Sequence, residues 1–124
     1  MLVKILRCKL HRASVTQCDL HYQGSLAIDA ELIRAAGLIV NEHIEVYNID
    51  NGERFTTYVI EGKAGSGEIA LNGAAARKAA VGDKIIICTY AQMTMEEAKA
   101  HKPRVVVLGP GNKVERITST PGSE

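Results

Sequence analysis

The sequence predicts a mainly β fold closed into a barrel, and three observations carry that prediction. Apolar and polar residues alternate with a period of two over many short runs. No helical stretch is long enough to serve as the crossover of a doubly wound sheet. Two helix–turn–strand units also echo one another: Val40-Asn41-Glu42-His43-Ile44-Glu45-Val46 is similar to Val81-Gly82-Asp83-Lys84-Ile85-Ile86-Ile87, and each follows a short Ala-rich helix. A repeated unit of this kind points to a pseudo-symmetric barrel.

The chain has 124 residues, enough for one domain without disulfide staples. That domain is expected over residues 1–117, with 118–124 as a flexible tail. With four Tyr, one Phe and no Trp, the core has to be aliphatic. The formal net charge of +1 comes without a one-sign block, which argues against nucleic acid or an anionic membrane surface as partner. The first residues break their apolar run with charge too early for a secretion signal, and no stretch approaches membrane-spanning length. Three cysteines without framework spacing fit a reducing cytoplasm.

Leu2 to Leu10 alternates as a strand, with Lys9 and His11 as positive groups projecting from its far end. Ala13 to Cys18 reads as a second strand and Leu26 to Ile28 as a third, with Tyr22 to Ser25 connecting them. Asp29 is an N-cap for a helix over Ala30 to Ala36, and Gly37 suits its left-handed end. A strand over His43 to Ile49 reaches Asp50-Asn51-Gly52, where Asn-Gly can supply positive φ at both central positions. Arg54 to Ile60 returns, and Glu61 to Glu68 reads as a Gly-rich loop. Ile69 to Leu71 is a short strand, and Asn72 is expected to cap a small-residue helix from Gly73 to Ala80. Lys84 to Tyr90 is the most apolar strand. Thr94 and Glu97 form a capping box for a helix ending before Pro103. Arg104 to Leu108 and Val114 to Ile117 make a last hairpin, followed by Thr118 to Glu124.

Chemistry has three candidate locations. Cys8-x₂-His11 and Cys18-x₂-His21 could supply four zinc ligands, but a regular strand sends Cys8 and His11 to opposite faces, so no metal is expected. The Asn72-Gly73-Ala74-Ala75 helix start leaves backbone N–H groups uncovered, a place for a carboxylate or phosphate, although capping alone also explains it. In Arg54-Phe55-Thr56-Thr57-Tyr58, period two puts Arg54 and Tyr58 on one face. An Arg there can hold a carboxylate and a Tyr can deliver a proton, although an ordinary hairpin accounts for the same pattern.

These residues converge on a family. Lys9-Leu10-His11-Arg12, Asp19-Leu20-His21-Tyr22, Gly24-Ser25, Ala27-Ile28-Asp29, Asn51-Gly52, Arg54, Thr57-Tyr58 and Asn72-Gly73-Ala74-Ala75-Ala76 together resemble the bacterial L-aspartate α-decarboxylases. The match runs from about Lys9 to Tyr90 and weakens beyond. The resemblance implies a double-psi β-barrel assembled as a homotetramer with sites between subunits. It implies a zymogen that cuts itself between Gly24 and Ser25 into a β chain, 1–24, and an α chain, 25–124, either unaided or with a maturation helper protein. Ser25 then becomes a pyruvoyl group, which forms a Schiff base with L-aspartate and yields β-alanine and CO₂ for pantothenate and coenzyme A synthesis. By position, Tyr58 is implied as proton donor. Thr57, Gly73, Ala74 and Ala75 contact substrate, Lys9 and Arg54 face its carboxylates, and His11, Tyr22 and Asn72 support the site. Alternation places Thr57 on the face opposite Arg54 and Tyr58; a bulge, a neighbouring subunit or a role in self-cleavage would each reconcile this. Two rivals stand beside this reading: a non-enzymatic barrel in which Gly24-Ser25 is only a turn, and a nucleic-acid-binding barrel, which near-neutral charge disfavours.

Overall fold

The computed structural model describes residues 1–124. Nine strands form one curled sheet: β1 (Leu2–Ser14), β2 (Gln17–Asp19), β3 (Leu26–Asp29), β4 (His43–Asn48), β5 (Arg54–Gly62), β6 (Ile69–Asn72), β7 (Lys84–Thr94), β8 (Arg104–Leu108) and β9 (Val114–Thr118). Their lateral order is β2-β6-β3-β5-β4-β7-β1-β8-β9. Three ladders are parallel, β1 with β8, β2 with β6 and β3 with β5, and the other five are antiparallel, three of them consecutive from β5 through β4 and β7 to β1. The link after β1 draws the curl shut. The Val15 N–H donates to the Asp83 carbonyl at 2.9 Å and the Thr16 N–H to the Ile69 carbonyl at 2.8 Å, so adjacent residues reach the starts of β7 and β6. The fold is the mainly β, double-psi type of barrel the sequence predicts, with two short helices, α1 (Ala30–Ala36) and α2 (Met95–Ala100).

The interior is aliphatic, as the lack of aromatics requires. Leu10, Leu26, Ile28, Ile44, Val46, Val59, Ile69, Leu71, Ile85 and Ile87 are all buried. On β4, Ile44, Val46 and Asn48 are buried while His43, Glu45 and Tyr47 are more exposed, so period two carries directly into packing. Helix α1 has the predicted ends. The Asp29 carboxylate accepts from the Glu31 N–H, and Gly37 takes φ +79° while its N–H returns to the Ile33 and Arg34 carbonyls. Helix α2 carries the full Thr94–Glu97 capping box.

Several boundaries differ from the expectation. β1 does not stop at Leu10, and Ala13 to Cys18 is not a separate strand. Arg12 takes φ +65°, the pairing with β7 slips between Leu10 and Ala13, and the ladder resumes with Ala13 beside Ile85. A bulge absorbs the irregularity instead of ending the strand. At Asn51-Gly52 only Gly52 has positive φ. The turn is set by Asn48, whose side-chain oxygen accepts from the Asp50 and Asn51 N–H groups at 2.9 and 3.3 Å. β5 extends through Gly62 and β7 through Thr94, each beyond the predicted end.

The predicted α-helix after Asn72 is a 3₁₀ helix over Gly73–Lys78, and Asn72 makes no side-chain capping bond. Gly73 holds φ +65°, a left-handed conformation that cannot open an α-helix. So short an element offers no macrodipole of consequence, which removes the helix-start argument for an anion site.

Candidate active site

Leu26 of β3 lies beside Val59 of β5. Upstream of that register β5 has no β3 partner, so Phe55 to Tyr58 present an open strand edge. The connection Leu20 to Ser25 crosses this edge, and the Gly73–Lys78 turn walls the opposite side. Between them is a cleft of about 570 Å³, the largest in the molecule.

Nine of the sequence-predicted residues line it: Gly24 and Ser25 with Tyr22 on one wall, Thr57 and Tyr58 on the strand edge, and Asn72 with Gly73, Ala74 and Ala75 on the other wall. The register brings them together. β3 and β6 run antiparallel with Leu26 opposite Leu71, so the next pair outward is Ser25 and Asn72. The Asn72 N–H donates to the Ser25 carbonyl at 3.0 Å. Gly24 has φ +98°, a conformation that L side chains rarely adopt, and a Cβ on it would run into the Ile60 Cδ1. Asn72 is buried, and its side-chain oxygen has no hydrogen-bond partner. A buried acceptor left open at a cleft is a group in reserve for a ligand or a reacting hydroxyl.

The Thr57 conflict dissolves here. Arg54, Thr56 and Tyr58 do share the more exposed face of β5, and Thr57 the other. The cleft abuts the strand edge and not one face, so side chains of both faces reach it.

Lys9, His11 and Arg54 are not in this cleft. Arg54 and Tyr58 share a face, but four residues of strand separate them by about 13 Å. The Arg54 guanidinium stacks on the Tyr47 ring, 4.2 Å from its centre, and the Tyr47 hydroxyl lies 3.0 Å from that of Tyr90. Lys9 pairs across the sheet with Cys88, Cys88 with Glu45 and Glu45 with Thr56. Three strand spacings, about 14 Å, therefore separate Lys9 from the cleft strand. His11 is held below its ordinary pKa by burial first and then by Lys9, which favours the neutral ring, and its Nδ1 is buried without a partner. One chain thus carries a cleft and, three strand spacings away, a separate cationic face where Lys9 lies with Arg12 and Arg116 near His11, while Arg54 stays on the cleft strand beyond the cleft itself.

Sequence reasoning missed some cleft residues, including Phe55, Thr56 and Lys78. Lys78 follows Ala75 by three positions, and 3₁₀ period would have placed the two on one side. Its ammonium pairs with Glu53 at 3.0 Å. The two Cys-x₂-His motifs do not converge. Cys8 is buried in β1, Cys18 lies on β2 at the far end of the sheet order, and no group of three or more His, Cys, Asp or Glu side chains is arranged to hold a metal ion.

The chain matches the family model described as aspartate decarboxylase over residues 1–115. It is 61% identical over 116 residues to the aspartate 1-decarboxylase of Ralstonia pickettii, covering 94% of this chain and 97% of that one. With that of Methylibium petroleiphilum it shares 62% identity over 113 residues, 91% of this chain and 94% of the other. The enzyme of that name from Caldicellulosiruptor saccharolyticus is 53% identical over 119 residues, 96% of this chain and 93% of that one.

Proposed function

The chain belongs to the aspartate decarboxylase family, and on that premise we propose that the Ser25 cleft both makes and uses a covalent pyruvoyl group. The reaction is decarboxylation of L-aspartate to β-alanine and CO₂, on the route to pantothenate and coenzyme A. It follows self-cleavage between Gly24 and Ser25. The observation that carries this reading is the convergence of Gly24, Ser25, Thr57, Tyr58 and Asn72 on one cleft walled by small residues.

The making of the group needs only this chain's atoms and water. The Ser25 hydroxyl attacks the Gly24 carbonyl, and the C–N bond breaks as an ester forms. Elimination frees the Gly24 carboxylate and leaves dehydroalanine at position 25. Hydrolysis then releases ammonia and leaves the pyruvoyl carbonyl. Two features favour the first step. Gly24 has the backbone freedom that hydroxyl approach requires, and the Asn72 N–H holds the Ser25 carbonyl while the bond on its other side breaks.

Losing CO₂ from an amino acid leaves electrons on carbon, and the pyruvoyl supplies the sink that no side chain offers. The residues fit such a group: Gly73, Ala74 and Ala75 leave room opposite Ser25, and the free Asn72 oxygen can accept from a hydroxyl or an amine. Tyr58 protonates the carbon that lost CO₂. Thr57 and the Gly73–Ala75 backbone position substrate, and Tyr22 closes the outer wall. Lys9 and Arg54 supply positive charge for the carboxylates, with His11 beside Lys9. Lys9 lies three strand spacings from the cleft of its own chain and Arg54 sits beyond the cleft on β5, stacked on Tyr47, so the reading has the site lie between subunits of a homotetramer, the Lys9 face of one chain completing the cleft of the next. The enzyme works in the cytoplasm, with any maturation helper protein acting before catalysis. No helix is long and apolar enough to cross a membrane.

Denaturing mass spectrometry of the purified protein tests the reading. It should show residues 1–24 and 25–124 as separate pieces, the second with a carbonyl in place of its amino terminus. Ser25→Ala should stay uncut and make no β-alanine. Turnover by uncut Ser25→Ala would end the proposal.

A further inference from the structure

Residues 119–124 fold back onto the cationic face. The Arg116 guanidinium donates to the Ser123 carbonyl at 2.6 Å and to the Glu124 carbonyl, and the Ser123 N–H donates to the Thr120 carbonyl at 3.1 Å. This hook delivers the Glu124 side chain to Lys9, with Nζ to Oε2 at 2.6 Å. The second carboxylate oxygen accepts from the Gly122 N–H. Both side chains are largely buried, 16% exposed for Lys9 and 10% for Glu124. His11, Arg12 and Arg116 are near enough to share their electrostatic environment. The result is a carboxylate held in a cationic pocket by one direct ammonium bond and one backbone N–H.

We propose that this tail is a built-in competitor of the substrate: Glu124 occupies the Lys9 carboxylate position and has to leave before a dicarboxylic amino acid can bind. The inference rests on the reading of Lys9 as a ligand for a substrate carboxylate. An ammonium has three N–H donors, but with the tail in place the Lys9 side chain is largely buried and Glu124 fills the approach to it, so the tail and the substrate compete for one space. A ligand tethered by so short a chain has an effective concentration of roughly millimolar, which makes it a match for a small free substrate. A latch closed about two thirds of the time raises the apparent KM about threefold and leaves kcat alone.

Four fully processed proteins, checked by intact mass, decide the matter: the full chain, Glu124→Gln, a chain ending at Thr118, and that shortened chain with Lys9→Ala. Amine acylation of Lys9, read by peptide mass spectrometry, reports the contact without reference to activity. It should rise several-fold in Glu124→Gln and in the shortened chain. The KM for L-aspartate should fall about threefold in both, at unchanged kcat. A peptide of residues 118–124 added to the shortened chain should raise KM again. Unchanged Lys9 reactivity in Glu124→Gln would overturn the latch outright. Increased reactivity with an unchanged KM would overturn its competitive role. Lys9→Ala then separates the two ideas: if it too leaves the KM of the shortened chain unchanged, the assignment of Lys9 to substrate has failed; if it raises KM, only the latch has.

Discussion

The β3–β6 ladder has two ends, and they treat their polar residues in opposite ways. At one end, the Asp29 N–H donates to the Glu68 carbonyl at 2.8 Å; at the other, the Asn72 N–H donates to the Ser25 carbonyl at 3.0 Å. The backbone is closed equally well at both. The side chains differ. Asp29, 4% exposed, accepts from the N–H groups of Glu31, Gly65 and Gly67 at 2.8, 3.0 and 2.8 Å. Asn72, 3% exposed, has an oxygen that accepts from nothing in the chain. One buried acceptor is spent on holding a loop and a helix start; the other is held open at the cleft. A polar group that stabilises and a polar group left without a partner can look alike in sequence and differ only in whether their partners belong to the fold.

Substitutions at the two ends should separate stability from chemistry. They are best measured for stability on the uncut Ser25→Ala chain, where a single polypeptide unfolds. The largest loss is expected from Asp29→Ala. It strips three N–H groups of their acceptor and should remove about 3 kcal/mol in urea denaturation. The same end carries a pH dependence. Burial raises the Asp29 pKa, but the N–H bonds from Gly67, Glu31 and Gly65 outweigh it and leave it below the usual 3.8. The unfolded chain therefore takes up this proton first as pH falls. Asp29 contributes its full stabilisation above 3.8 and loses it below that value. Asp29→Asn should abolish this part of the acid-induced slope, and a parallel slope in the variant would contradict the assignment.

At the cleft end the pattern inverts. Tyr58→Phe should cut itself normally and melt normally, yet lose about a hundredfold in kcat, the scale of a lost general acid. Full turnover would remove Tyr58 from the mechanism. Asn72→Ala should change stability by less than about 1 kcal/mol, because no bond to its oxygen is lost, while self-cleavage slows at least about tenfold. Gel densitometry over time reads that rate. The smallest effect serves as a yardstick. Thr94→Ala removes one cap of the exposed helix α2, far from both ends, and should cost about 1 kcal/mol with cleavage and turnover intact.

What the sequence made legible follows the range of the interactions involved. Helix α1 could be read to the residue, because Asp29 and Gly37 act within one turn of the backbone they cap. The 3₁₀ turn could not. Asn72 followed by small residues looks like the same signal, and only the left-handed Gly73 distinguishes it. The bulge at Arg12 was hidden because it depends on pairing with β7, which lies seventy residues downstream. In the candidate site, Ser25, Thr57, Tyr58 and Asn72 were found through motifs. The opposite fates of Arg54 and Tyr58 were not, since period two assigns a face and says nothing of position along a strand. Thr57 shows the same limit from the other side: an open strand edge, invisible in a linear pattern, gives both faces access to one cleft.

Under the proposed cleavage, the place of β1 has a consequence for the protein. Residues 1–24 hold an interior strand, bonded antiparallel to β7 on one side and parallel to β8 on the other, and β2 is bonded to β6. The severed piece cannot simply diffuse off; it is a noncovalent subunit woven through its own barrel. Recovery from denaturation then turns from an intramolecular event into a meeting of two polypeptides, slower in dilute solution and without the tether that once made it easy.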